Sequence, residues 1–280
     1  MKNILIATDL TSQSNNAFRR AVQIAQIAGA KLNVLHVTFQ PFISSLVNKT
    51  GENHDKIRKN IVDCIEEYSG EKTLNYEIHI ADRGRVYDRI NEYARRLSVD
   101  VIVIGRGGHP QNSTKLAFSI GERVVSQASS QVLVVGNVVA ETYKHFLVMA
   151  NIFHYPARMM RTIRALGTTP KPTLLLRAPE KPEMPRFILK LCELFYGAVC
   201  RRFIKLASID LNMPETDITT SQVRNFDVAT LAIQIEQEKS EVIVIDNKLA
   251  FSSASEINNN ICDLLYRVSC DILFSREVVK

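Results

Sequence analysis

The stretch Val99–Val125, VDVIVIGRGGHPQNSTKLAFSIGERVV, decides how the rest of the chain is read. An apolar run, Val101–Ile104, stops at Gly105. A loop opening with Gly105, Gly107, Gly108 and Pro110 follows, and an amphipathic helix begins at Ser119. A buried strand, a glycine-bearing loop and a helix N-terminus bring bare backbone N–H groups together with the positive end of a helix dipole, and such a place attracts anions. A nucleotide bound by this chain would set its phosphates here.

Working outward, the same alternation recurs. Asn3–Thr8 is a short apolar run. Ser12–Ala28 carries apolar residues at helical spacing and stops at Gly29. Lys31–Val37 predicts a second strand, Glu52–Tyr68 a helix, Asn75–Ala81 a third strand and Arg85–Leu97 a helix. Val101–Ile104 is the fourth strand, Ser119–Ala128 the fourth helix and Val132–Val135 the fifth strand. Continuous apolar strands alternating with helices predict a parallel sheet covered on both faces.

After Thr142 the plan repeats. Phe146–Ala150 mirrors the first strand, and Ala157–Leu166 is a helix closed by Gly167. Thr173–Leu176 is a strand entered through Pro170 and Pro172, and a long helical region covers Arg186–Leu206. Thr216–Val223, Val242–Ile245 and Ile272–Phe274 are strands, separated by helices at Asp227–Lys239 and Ile257–Val268. The tetrapeptide VIVI stands at both Val101–Ile104 and Val242–Ile245. The expected fold is therefore α/β: two tandem domains, 1–142 and 143–280. Each is an open five-stranded parallel sheet with helices on both faces, Rossmann-like.

Composition agrees with this plan. Apolar residues make up 46% of the 280, and no run approaches the roughly 18 apolar residues of a membrane span. The N-terminus lacks the apolar core and cleavage site of a secretory signal. The five cysteines are odd in number and form no CxxC pair, which reads as buried free thiols. A cytoplasmic protein is expected. Residues 144–205 hold 12 basic and 3 acidic side chains, whereas 206–280 hold 6 and 12. The basic stretch reads either as a solvated helical face against an acidic neighbour or as an attractor of anions. Nucleic acid is not an expected partner.

The motifs resemble the universal stress protein family over the whole chain. Its nucleotide-binding members carry G-x2-G-x9-G-[ST] after strand four, which Gly105, Gly108 and Ser119 match. The third glycine is replaced by Phe118. Asp9 matches the family's first-strand aspartate, which meets the adenosine part of the ligand. Val37, in Leu35-His36-Val37, matches the valine of the adenine pocket. The resemblance implies an adenine nucleotide, ATP or AMP, in the first domain, with Mg as its only metal. It also implies a role in stress tolerance exerted by binding and assembly, and pairing through last strands. In a fused tandem, that pairing sets Val132–Val135 against Ile272–Phe274; a homodimer is a further possible partner.

Each candidate residue has a second reading. Phe118 either obstructs a triphosphate or turns into the core and leaves the N–H groups open. Ser119 and Glu122 form an S-x-x-E capping box, so the serine serves its own helix or a ligand. Asp9 is an adenosine contact or a turn residue. Arg106 and His109 contact phosphate or are solvated. The expected site is Asp9, Val37, Gly105, Arg106, Gly108, His109, Ser119 and Ile120. In the second half, Asn151 stands for Asp9, Asp246 for Gly105 and Leu249 for Gly108. A carboxylate at the phosphate position repels a phosphate, so this half is expected to bind no ATP in the family manner. A scaffold role there, or an apolar or anionic small ligand near Pro179–Leu206, is the alternative. No P-loop, GxSxG or HExxH is present, so a binding protein is expected in preference to an enzyme. Weak ATP hydrolysis is the third reading.

Overall fold

The computed structural model describes residues 1–12, 14–38, 50–82, 84–106, 120–136, 142–151, 155–177, 186–223, 228–246, 265 and 267–275. Two compact units form: Met1–Thr142 with Asp271–Leu273, and Tyr143–Cys270 with Phe274–Lys280.

In the first unit, β1 (Asn3–Ala7), β2 (Lys31–Thr38), β3 (Tyr76–Asp82), β4 (Val101–Gly105) and β5 (Gln131–Val135) lie in the order β3-β2-β1-β4-β5, with every characterised pair parallel. Ile4, Leu5, Ile6, Val101, Ile102 and Val103 are fully buried. Side chains alternate between the two faces of a strand, so consecutive buried residues require cover on both. Helices α1 (Asn15–Ala28) and α2 (Thr50–Ser69) pack beside each other, as do α3 (Val86–Arg96) and α4 (Ile120–Gln127). Helix α1 ends where Gly29 takes φ +58° and donates its N–H to the Ala25 carbonyl. That left-handed closure suits a residue without a Cβ. Asp100 anchors the start of the sheet by accepting the N–H groups of Lys2 (2.6 Å) and Asn3 (3.1 Å).

The second unit repeats the pattern. Strands β6 (His145–Asn151), β7 (Lys171–Arg177), β8 (Thr219–Val223) and β9 (Val242–Asp246) run in the order β8-β7-β6-β9, the order of β3-β2-β1-β4. The last strand of the chain, β10 (Asp271–Ser275), whose residues are divided between the two units, is buried throughout. Helices α5 (Ala157–Leu166), α6 (Arg186–Leu211) and α7 (Val228–Gln237) complete the described elements. The expected helix Ile257–Val268 lies almost wholly outside the described residues.

Three local readings change. Strand β7 begins at Lys171, two residues earlier than the sequence suggests. Pro172 is tolerated because it pairs with Phe146 on one side, whereas the β8 ladder starts only at Thr173, so no ladder donor is needed there. Helix α6 runs unbroken to Leu211. The Tyr155 ring packs edge-on against Phe203 at 5.1 Å, and its hydroxyl donates to Asp210 Oδ2 at 2.8 Å. Burial first, then the Asp210 carboxylate, push this phenol far above its usual range, so it stays a donor. Strand β8 starts later than expected, because Glu215–Asp217 form a turn of 3-10 helix after Pro214. Cys270 is buried, but Cys64 and Cys200 are only half-buried. Among the described residues no helix is long and apolar enough to cross a membrane.

Gly167 ends α5 for a different reason from Gly29. Its backbone is extended, and a Cβ there would collide with the Tyr143 carbonyl oxygen. Gly167→Ala is expected to cost about 1–3 kcal/mol of stability, read as a lower midpoint in urea unfolding. Asn91 of α3 is 4% exposed, and neither side-chain polar atom has a hydrogen-bond partner among the described residues. An unsatisfied buried amide is costly, so Asn91→Leu is expected to raise stability by about 1 kcal/mol in the same experiment.

Candidate functional site

In the first unit the connections from β1 run outward to β2 and β3, whereas β4 and β5 lie on the other side of β1. Beyond the C-terminal ends of strands at such a reversal, the loops separate and leave a crevice. A cleft of about 230 Å³ lies there. Its walls come from the ends of β1 (Ala7, Thr8, Asp9), β2 (Leu35, Val37) and β4 (Ile104, Gly105, Arg106). Ser14 just before α1, Val86 and Ile90 of α3, and Ile120 and Gly121 of α4 complete the lining.

The β1–α1 connection is held tightly. Leu10 takes φ +60°, a conformation that costs a residue with a Cβ and persists only where its surroundings impose it. Its N–H donates to Thr8 Oγ1 at 3.0 Å. The Ser14 hydroxyl donates to the Thr11 carbonyl at 3.0 Å. In the 3.1 Å contact between the two hydroxyls, Thr8 is therefore the donor. His36 Nδ1 lies 2.9 Å from the Thr8 carbonyl; a carbonyl only accepts, so this nitrogen carries the proton. These bonds fix where Asp9 stands.

Asp9 is exposed at the mouth. Its Oδ1 accepts the Thr11 N–H at 3.0 Å and the Thr11 hydroxyl at 2.7 Å. Partial burial raises its pKa, but hydrogen bonds, chiefly from the Thr11 hydroxyl and N–H, outweigh it, and the carboxyl sits below its ordinary value. The turn role is thus real, and it occupies one carboxylate oxygen. Arg106 is half-buried; its N–H donates to the Val135 carbonyl at 2.8 Å. Its guanidinium lies against Gly136, where a Cβ would stand 2.6 Å from Cζ.

Five expected residues, Asp9, Val37, Gly105, Arg106 and Ile120, meet on this one cleft. Gly108, His109 and Ser119, with Phe118, lie outside the described residues. Thr8 reads only as the last residue of the first strand, and Ser14 as a turn or cap residue near a helix start. Val86 and Ile90 read only as inward-facing helix residues.

Strand register makes the two units comparable residue by residue. Ile4 pairs with Val101 and Leu32, and Phe146 pairs with Val242 and Pro172. Continuing along each strand, Asp9 corresponds to Asn151, Val37 to Arg177 and Gly105 to Asp246. The acid, the apolar wall and the bare backbone of the first cleft are thus replaced together.

The sequence model of the Universal stress protein family matches residues 1–136. Universal stress protein A homolog 1 of Coxiella burnetii is 31% identical over 143 residues, which are 48% of this chain and 95% of that protein. The chain belongs to the universal stress protein family. Universal stress protein A of Photorhabdus laumondii is 20% identical and covers 48% of the chain. A universal stress protein from Archaeoglobus fulgidus matches 98% of this chain and 96% of its own, with a TM-score of 0.68 and 13% identity. A functionally unknown Pseudomonas aeruginosa protein matches 99% and 92%, with a TM-score of 0.65 and 16% identity. These two structures share the fold with both halves.

The depressed Asp9 carboxyl has a consequence for stability. A lowered folded-state pKa stabilises above the unfolded value and loses that stabilisation as pH falls through the folded one. Asp9→Asn is expected to be slightly less stable than the unaltered protein at pH 7. The gap should close as pH drops below about 4. Urea midpoints of both proteins at neutral and acid pH check this.

Proposed function

We propose that the first unit of this universal stress protein binds an adenine nucleotide in the cleft at the β1–β4 reversal, and that the protein acts in the stress response by binding and assembly. The observation that carries the reading is the meeting of Asp9, Val37, Gly105, Arg106 and Ile120 on that cleft. Val37, Ile104 and Ile120 offer apolar surface to a flat base. The outer oxygen of Asp9 offers an acceptor to ribose hydroxyls. Gly105 and Arg106 lead the chain towards the phosphates, where a guanidinium suits phosphate oxygens. No cluster of three metal-ligating side chains occurs among the described residues, so Mg would arrive with the nucleotide. Residues 1–142 form the nucleotide domain in this reading and 143–280 a degenerate copy. Asn151, Arg177 and Asp246 at the corresponding positions favour a role for the copy that does not use a nucleotide. The working place proposed is the cytoplasm.

Calorimetric titration of the full chain with AMP and ATP tests the proposal. Binding in the micromolar range is expected, weakened about tenfold or more by Asp9→Ala and abolished by Val37→Trp, which fills the cleft. Absence of heat at millimolar nucleotide would overturn it.

A further inference from the structure

A larger cleft, about 850 Å³, opens at the opposite edge of the second unit's sheet, where β6, β7 and β8 begin. Neither the nucleotide motif nor its degenerate counterpart touches this edge. Its size falls in the range of small-molecule sites, about 300–1,000 Å³. Arg164, at the end of α5, Lys171, at the start of β7, Asp217, before β8, and Glu238, after α7, all line it.

Among the described residues, neither cation lies within 4.0 Å of a carboxylate, and neither carboxylate within 4.0 Å of a cation. Glu238 is fixed in place: its Oε2 accepts from the Thr173 hydroxyl at 3.3 Å and its Oε1 from the Gln234 amide at 3.2 Å. Thr173 is 8% exposed. The turn after α6, Leu211 to Met213, also lines the cleft. No basic side chain occupies the last turn of α6, so the partial negative charge of that helix end adds to Asp217 and Glu238.

We propose that this cleft binds a short peptide with free termini, its carboxylate towards Arg164 and Lys171 and its ammonium towards Asp217 and Glu238. Two cations alone would fit a simple anion, and two carboxylates alone a cation. Both signs in one concavity, each without an ion-pair partner among the described residues, fit a ligand that carries both. The volume exceeds the need of a single amino acid. The remaining lining, prolines and threonines with Leu211, Met213, Asn212 and His145, offers apolar contact and polar groups to a peptide backbone. This inference stands apart from the nucleotide proposal.

Ligand-observed NMR titration of the full chain with trialanine, against N-acetyl-trialaninamide as the chargeless control, tests it. Trialanine is expected to bind with a Kd of about 1 mM or tighter, and the blocked peptide about tenfold more weakly. The double variant Arg164→Gln/Lys171→Gln and the single variant Asp217→Asn, all at exposed positions, should each weaken trialanine about fivefold or more. Silence at about 10 mM trialanine, equal affinity for the blocked peptide, or unchanged affinity in the variants would each overturn the proposal.

Discussion

The structure depends on the pairing register of strands buried on both faces. Leu5 and Ile102, or Leu147 and Ile243, have no solvent on either side. Their backbone N–H and C=O groups must bond within the sheet, because an unpaired buried group is costly. A one-residue slip would exchange faces for every side chain in the strand. Once Ile4 faces Val101, the strand ends are set. Asp9 and Gly105 then emerge beside each other where the connections of the first sheet reverse direction.

The same register in the second unit, with Phe146 opposite Val242, holds a different chemistry. The frame tolerates this because the loop ends of strands are not part of the packed interior. Arg177 and Asp246 stand where Val37 and Gly105 stand in the first unit without altering Leu174–Leu176 or Val242–Ile245 beneath them. Packing preserves the frame; the rim is free to change. The opposite edge shows the same freedom, with Arg164, Lys171, Asp217 and Glu238 gathered around the strand starts.

Much of the fold was legible in the sequence, because the signals were long and local. Helical spacing between Ala17 and Ala28, the VIVI runs and the glycine after α1 each speak for themselves. The misreadings arose where a distant partner decides. Pro172 entered β7 because only β6 pairs with it. Helix α6 gained a turn past Leu206, and Asp210 in that turn accepts the Tyr155 hydroxyl. Gly167 does cap α5, its N–H donating to the Ile163 carbonyl, but its bareness serves the carbonyl of Tyr143.

The candidate site divides in the same way. Gly105, Arg106 and Ile120 were readable as a loop after an apolar strand and the helix start beyond it, and Asp9 and Val37 through the family pattern that they match. Only the folded chain could show that Thr8 and Ser14 share a hydrogen bond, that Arg106 lies over Gly136, or that Val86 and Ile90 close one wall. The amino-acid order by itself determined which segments are strands and helices, and that one plan occurs twice. The tertiary structure decided which polar groups face each other, because hydrogen bonds and clefts depend on distances of a few ångströms between residues far apart along the chain.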